Sequence, residues 1–118
     1  MMTVYGIPNC GTVKKARAWL DTRHVSHTFV DFRATPPSTE QVAAWVAALG
    51  ARPMRNTSGG SYRALPAEKS EWGDERWIEA FHADPMLIKR PIIERDGTAL
   101  QVGFRGTDEQ LSQRLLGD

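Results

Sequence analysis

The N-terminal 20 residues constrain the fold more than any other part of the chain. An apolar run over residues 2–7 is closed by Pro8 and Asn9, which favour a turn, and Cys10 follows directly. Residues 11–23 are predicted to form a helix, because apolar side chains recur there on one face: Val13, Ala16 and Leu20. The sequence therefore predicts a short buried strand, a tight turn and a helix, with the cysteine at the junction.

The middle of the chain adds a strand and two helices. A second strand is predicted at about residues 26–32, and Ser38 with Gln41 forms a capping box for a helix that Gly50 ends. Residues 52–73 show little periodicity, and a connection of that length in a small domain is usually functional or partly helical. A further helix is predicted over residues 74–83.

The C-terminal part predicts a hairpin and a last helix. Two apolar runs flank Asp96-Gly97, a strong hairpin signal, and Thr107 with Gln110 forms a second capping box. The complete order is β-α-β, helices, β-β-α. This order favours an α/β thioredoxin-like fold, with a mixed four-stranded sheet and helices on both faces. The same order fits a ferredoxin-like fold, so motifs must decide. Neither a repeat nor a boundary divides the sequence, and we expect a single domain over residues 1–118.

The overall composition excludes several classes of protein. A net charge of +1 argues against a nucleic-acid partner or an acidic membrane surface, and no apolar run approaches the ~20 residues that span a bilayer. The single cysteine cannot form an internal disulfide, so the expected compartment is the reducing cytoplasm. We expect a monomer without a bound metal or cofactor, and we interpret the three histidines as surface or structural residues: His24, His27 and His82.

Cys10 is the candidate nucleophile, with an inert buried cysteine as the alternative. The unpaired N–H groups of a helix N-terminus favour a thiolate, but the helix dipole contributes only ~0.3–1 kcal/mol, less than one pKa unit. Further positive charge is therefore required. Lys14 and Arg17 lie on the same helical stripe as Cys10, whereas Lys15 points away from it.

Two other thiol motifs fail on counting. Val13 stands at the second position of a Cys-x-x-Cys dithiol, and Ala16 stands where a Cys-x5-Arg phosphatase loop needs its arginine. More distant arginines remain as partners, namely Arg55, Arg90 and Arg105. Arg90 precedes Pro91 at a strand start, a position that can hold a cis peptide bond, and an arginine there suits a thiolate or a carboxylate. From the pattern alone these arginines fit surface positions equally well.

Four segments in this order and spacing resemble the arsenate reductase (ArsC) family of thioredoxin-like proteins: "YGIPNCGTVKKARAWL", "RNTSGGSYRAL", "LIKRPII" and "VGFR". The chain is most similar to the short bacterial YffB-like subgroup, which is related to the Spx regulators. The resemblance implies a helical insertion at about residues 35–85 and a cis peptide bond before Pro91. It also implies that Cys10 is the nucleophile and that Arg90, Arg105 and Arg55 surround it, with Arg52 as an alternative to Arg55.

The resemblance orders the possible functions. The family's arsenate reductases carry Asn-Pro-x-Cys and a longer C-terminal tail, whereas this sequence reads "IPNC" and stops after its last helix, as in the short subgroup. The first expectation is therefore a glutathione-dependent thiol-disulfide reductase, with glutathione as co-substrate and glutathione or a glutaredoxin as thiol donor. A glutathione/glutaredoxin-coupled arsenate reductase is the alternative, and an Spx-like regulator that binds RNA polymerase is third, because Val13 removes the usual switch. Asn9 and Thr12 are expected to shape the loop.

Overall fold

A computed structural model describes residues 1–117. Its strands are β1 (Met2–Gly6), β2 (His27–Asp31), β3 (Ile92–Arg95) and β4 (Thr98–Val102). Its α-helices are α1 (Gly11–Thr22), α2 (Thr39–Leu49), α3 (Ala51–Met54), α4 (Gly60–Arg63), α5 (Asp74–Ala83) and α6 (Asp108–Leu116). Short 3-10 turns cover Ala67–Glu71 and Pro85–Leu87.

The four strands form one mixed sheet in the order β2-β1-β3-β4. β1 is parallel to β2 and antiparallel to β3, and β3 is antiparallel to β4. Tyr5 pairs with Ile92, so the end of β1 lies beside the beginning of β3. The turn that follows β1 and the segment that precedes β3 therefore share one edge of the sheet. The thioredoxin-like prediction is confirmed.

Helices cover both faces of the sheet, as predicted. Neighbouring strand residues point to opposite faces, so Val4 and Tyr5 enter different apolar clusters. The Val4 cluster packs α1 and α6 against the sheet, and its other buried members are Met2, Val13, Ala16, Leu20, Ile93, Leu111 and Leu115. The Tyr5 cluster packs α2 and α5 against the opposite face, around the fully buried side chains of Trp45, Trp77 and Phe81.

The predicted helical insertion lies between β2 and β3 and contains α2 to α5. The stretch at 52–73 shows little periodicity in the sequence because its helical turns are only four or five residues long. Gly50 ends α2 at a φ of 90°, as expected.

One capping prediction is half wrong. The Ser38 hydroxyl caps α2 by accepting from the backbone N–H of Gln41 at 3.1 Å. The Gln41 amide does not return to Ser38, because it donates instead to the hydroxyl of Tyr5 at 3.0 Å. The capping box of Thr107 and Gln110 is complete, with both hydrogen bonds formed.

The hairpin is also as predicted, since Asp96 and Gly97 both have positive φ, at 52° and 82°. Among residues 1–117, no helix is both long and apolar enough to cross a bilayer. The same residues contain no cluster of three or more histidine, cysteine or acidic side chains able to hold a metal ion.

Candidate active site

Cys10 occupies the N-cap position of α1 in an extended backbone conformation, with φ −92° and ψ 123°. The Cys10 N–H donates to the Ile7 carbonyl at 3.3 Å, and its carbonyl accepts the first helical bond from Lys14 at 3.0 Å. The thiol is half-buried and packs against both apolar clusters. This placement directs the backbone N–H groups of Thr12 and Val13 toward the sulfur.

The environment of the thiol favours the thiolate. Burial raises the pKa of Cys10, but the N–H groups of Val13 and Thr12 and the Arg90 guanidinium lower it further than burial raises it. The net result is a pKa below the ordinary value for a cysteine. The sequence predicts the same two sources, the helix N-terminus and a distant arginine. Thr12 acts here through its backbone N–H group.

Arg90 is held beside Cys10 by two backbone carbonyls of the segment that precedes it. Its peptide bond to Pro91 is cis, as expected. The Nη1 atom of Arg90 donates to the carbonyls of Ile88 at 3.3 Å and Met86 at 3.4 Å, while its Nε is buried and has no hydrogen-bond acceptor within residues 1–117. Gly6 permits the close approach of α1, because a Cβ there would lie only 2.6 Å from Val13 Cγ2, whereas its 3.7 Å distance to the Arg90 Cβ would be an ordinary contact.

Arg55 is brought next to the Arg90 segment by an isolated antiparallel bridge to Ile88. The Lys89 N–H donates to Met54 at 2.7 Å, and the Asn56 N–H donates to Leu87 at 2.8 Å, which fixes the bridge on both sides. The exposed Arg52 lies outside this bridge. The geometry therefore favours Arg55 over Arg52 as the arginine that the insertion supplies.

The Arg55 guanidinium lies 4.1 Å from the centre of the Trp77 ring, an arrangement typical of a cation–π contact. Burial lowers the pKa of Arg55, and its Nε also lacks a hydrogen-bond acceptor within residues 1–117. Trp77 is itself stacked against Tyr62, with a 9° angle between the ring planes. These contacts hold a partly desolvated cation in a fixed position.

Other predicted cations are less closely tied to the thiol. Arg105 is exposed, and no hydrogen bond or ion pair found within residues 1–117 connects it to Cys10 or Arg90; its role remains a prediction. Arg17 faces β2 instead of the thiol, since its guanidinium lies 4.6 Å from the Phe29 ring centre. Lys14 is exposed.

The structure adds residues that the sequence reasoning missed. Asn56 donates from Nδ2 to the Met86 carbonyl at 3.4 Å, the same oxygen that receives Arg90. Asn9, expected to shape the loop, accepts at Oδ1 from Nη2 of Arg33 at 3.2 Å. Neither Asn56 nor Arg33 belongs to a periodic pattern, so a single sequence carries no signal for these contacts.

A buried polar network under α2 was also missed. The Glu94 carboxylate on β3 accepts from the Tyr5 hydroxyl at 2.9 Å and from the Trp45 indole N–H at 2.6 Å. Gln41 adds a bond to the Tyr5 oxygen. Burial, together with the Glu94 carboxylate, raises the pKa of Tyr5 to about 12. The network connects α2 of the insertion to β1, which precedes Cys10, and to β3, which follows Arg90. Period-two alternation from Ile92 does place Glu94 on an inward face.

Solved structures contain the same fold. The structure of a protein named YFFB superposes with a TM-score of 0.86 at 34% identity, covering 98% of this chain and 99% of that chain. The uncharacterized protein YusI of Bacillus subtilis is 33% identical over 108 residues, which are 88% of this chain and 91% of the relative.

Two further relatives have functional names. A protein named arsenate reductase in Rhizobium meliloti is 29% identical, over 78% of this chain and 67% of its own length. A protein named global transcriptional regulator Spx in Enterococcus faecalis is 28% identical, over 88% of this chain and 80% of its own length. The sequence profile described as the ArsC family matches residues 5–111. The chain, with its cysteine at the start of α1 and its arginine before a cis-proline, belongs to the ArsC family.

Proposed function

We propose that this protein is a thiol oxidoreductase in which Cys10 is the single nucleophile and glutathione is the thiol donor. The observation that supports the proposal most directly is the convergence of the α1 N-terminus and Arg90 on one half-exposed sulfur. Membership of the ArsC family and a relative named arsenate reductase support oxidoreductase chemistry in general. The single-cysteine mechanism and the choice of glutathione are the specific parts of the proposal.

The reaction follows from the presence of one cysteine. The Cys10 thiolate attacks one sulfur of a disulfide substrate, a new S–S bond forms, and the other half leaves as a thiolate with the bonding electron pair. Without a second cysteine, the resulting mixed disulfide is resolved by an external thiol. The thiolate of glutathione, or of a glutaredoxin, attacks the substrate sulfur of this mixed disulfide and forms a new S–S bond with it, while the bond to Cys10 breaks and Cys10 leaves as the thiolate.

The pH dependence of Cys10 alkylation tests the nucleophile. We expect the apparent pKa in the wild type to lie below the ordinary ~8.5 of a free cysteine, and to rise in Arg90→Ala because one of the groups that stabilise the thiolate is removed. Lys15→Ala removes a charge that lies off the Cys10 stripe and serves as the matched control. A pKa of about 8.5 or higher in wild type, Arg90→Ala and Lys15→Ala alike would refute the nucleophile.

Arsenate reduction is the second candidate, and the arginines favour it. Arg55 and Arg90 each keep a buried Nε without an acceptor among residues 1–117, and buried donors of this kind normally have a partner. An oxyanion between them would supply acceptors to both. The test is arsenate-dependent oxidation of glutathione, compared between wild type and Arg55→Lys. Arsenate turnover that disappears in Cys10→Ser would favour this candidate, and no turnover in the wild type would exclude it.

The Spx-like candidate is third, supported by the relative of that name. It is distinguished by capture of RNA polymerase on the immobilised protein. Capture that persists in Cys10→Ser would favour a regulator, because a binding surface does not require the thiol. Capture that requires the free thiol would connect the interaction to the redox site.

A further inference from the structure

Arg33 is a cation that the proposed reaction leaves without a role. It lies two residues after the end of β2, and β2 is parallel to β1, so the ends of both strands meet at the same edge of the sheet. Arg90 reaches this edge from the other neighbour of β1, since β3 is antiparallel and begins there. Arg33 and Arg90 therefore flank the Cys10 turn from opposite sides.

Backbone contacts fix the position of Arg33. Its N–H donates to the Asp31 carboxylate at 2.9 Å, and the Asp31 carbonyl accepts from Thr35 at 2.8 Å, which closes a turn around it. The neighbouring Phe32 N–H donates to Gly6 in β1 at 2.8 Å. From this turn the Arg33 guanidinium reaches Asn9, the residue before the nucleophile, at 3.2 Å. An otherwise flexible exposed side chain is thus directed toward the site.

The charge of Arg33 remains available for a ligand. Ion pairs found within residues 1–117 use the basic groups of Met1, Arg23 and His27, and none involves Arg33. The side chain is exposed, and the one guanidinium hydrogen bond found among residues 1–117 runs from Nη2 to the neutral Asn9 amide oxygen. A guanidinium with its other N–H groups facing solvent suits a carboxylate, which it binds through two parallel hydrogen bonds.

We propose that Arg33 is a specificity residue that binds a carboxylate of a low-molecular-weight thiol or disulfide while its sulfur reacts with Cys10. The inference rests on the proposed thiol exchange at Cys10. It adds the residue that selects the reactant and the group that this residue recognises, a carboxylate of an anionic thiol compound such as glutathione. Neutral thiol compounds of similar size gain nothing from Arg33.

The test compares two disulfide probes on the intact protein. The anionic probe is 5,5′-dithiobis(2-nitrobenzoate), which has a carboxylate on each ring, and the neutral probe is 2,2′-dipyridyl disulfide. Each exchange forms one protein–probe S–S bond, breaks the probe's S–S bond and releases a coloured product. The absorbance of that product reports the rate at Cys10, the only cysteine of the chain. The readout is the ratio of the anionic-probe rate to the neutral-probe rate, because that ratio cancels changes in the thiolate fraction.

We expect Arg33→Gln to lower this ratio by about two- to fivefold, the upper part of the range for an exposed ion pair. Arg33→Lys is expected to retain part of the preference, since it keeps the charge without the fork of donors. Arg23→Gln is the matched control. It removes the same charge at the other end of α1, which has 12 residues and therefore places this charge about 18 Å from the start of the helix. The ratio of the two rates should therefore equal that of the wild type.

A ratio within about 1.5-fold of wild type in Arg33→Gln would overturn the proposal, since that change is below the expected size of the contact. Equal losses in Arg33→Lys and Arg33→Gln would also overturn it, because the effect would then come from loop shape and not from charge. No exchange of the wild type with the neutral probe would refute the nucleophilic Cys10 itself. That result differs from a failure of Arg33 alone, which leaves the neutral exchange in place.

Discussion

Replacing Glu94 with alanine probes the polar network that joins the insertion to the sheet. Glu94 is only 9% exposed, and each of its two carboxylate oxygens accepts one bond, from Tyr5 and from Trp45. Truncation leaves the phenol O–H and the indole N–H buried without their acceptor. We therefore expect a large loss of stability from a substitution that removes very little apolar surface.

The magnitude follows from the two donors. Each buried donor that loses its acceptor costs about 1–3 kcal/mol, and relief of the buried carboxylate offsets part of the sum, so we expect a net loss of about 3 kcal/mol. Unfolding entropy is about 2.1 cal/mol/K per residue. For 118 residues it amounts to about 250 cal/mol/K, and the loss then lowers the Tm by about 12 °C.

Thermal and urea denaturation measure this loss, with Glu79→Ala as control. Glu79 is an exposed acid on α5, so its substitution should change stability by less than about 0.5 kcal/mol. Glu94→Gln keeps one acceptor oxygen and should lose about half as much as Glu94→Ala. A double-mutant cycle with Trp45→Phe isolates the contact, because the two losses should overlap by about 1 kcal/mol or more.

Two results would refute this reasoning. A fall in Tm of less than about 4 °C for Glu94→Ala would mean that water or rearranged side chains satisfy both donors. Additivity of Glu94→Ala and Trp45→Phe within about 0.5 kcal/mol would mean that the two side chains do not interact.

Three further predictions follow from single contacts, each measured by chemical denaturation. Gly6→Ala should lower the free energy of unfolding by about 1–3 kcal/mol, because the new methyl group meets Val13 at 2.6 Å. Adding Val13→Ala should recover part of this loss. Gly11→Ala is the control, because its methyl group has open space and should not destabilise the fold. The wild type should lose stability as pH rises from about 10 to 12, because the Tyr5 pKa is about 12 in the folded state and 10.0 in the unfolded state. Tyr5→Phe should lack this loss. Thr107→Ala should cost about 1 kcal/mol by removing the cap of α6, and an unchanged midpoint would contradict the capping-box geometry.

Local patterns predicted the local elements well, for identifiable physical reasons. The Asp96-Gly97 turn was predictable because few residue pairs adopt two successive positive φ values. The α6 cap was predictable because its two bonds connect residues three apart. The α2 cap was only half right, since Gln41 has a competing partner in Tyr5 on a different strand. Local rules fail where a tertiary contact offers the same group a better hydrogen bond.

In the candidate site, too, local features were predictable from the sequence and tertiary contacts were not. The position of Cys10 between β1 and α1 was predictable because its strand-turn-helix context is contiguous in the sequence. The approach of Arg55 was implied only by the family resemblance and not by the local pattern, because it depends on an isolated bridge to Ile88 inside a stretch without periodicity. Arg33 and Glu94 were missed for a related reason. Their partners, Asn9 for the one and Tyr5 with Trp45 for the other, lie on different elements, and pattern reading does not connect them.

The pairing of Cys10 with Arg90 shows how the sheet order produces a site. β1 lies between a parallel and an antiparallel neighbour, so one edge of the sheet collects the ends of β1 and β2 and the beginning of β3. Two of the segments at this edge carry an arginine that α1 alone cannot supply: the turn after β2 carries Arg33, and the segment before β3 carries Arg90. The helix N-terminus by itself lowers a thiol pKa by less than about one unit. The charge needed beyond that comes from the strand order, and for this reason the mixed sheet is part of the proposed chemistry as well as its support.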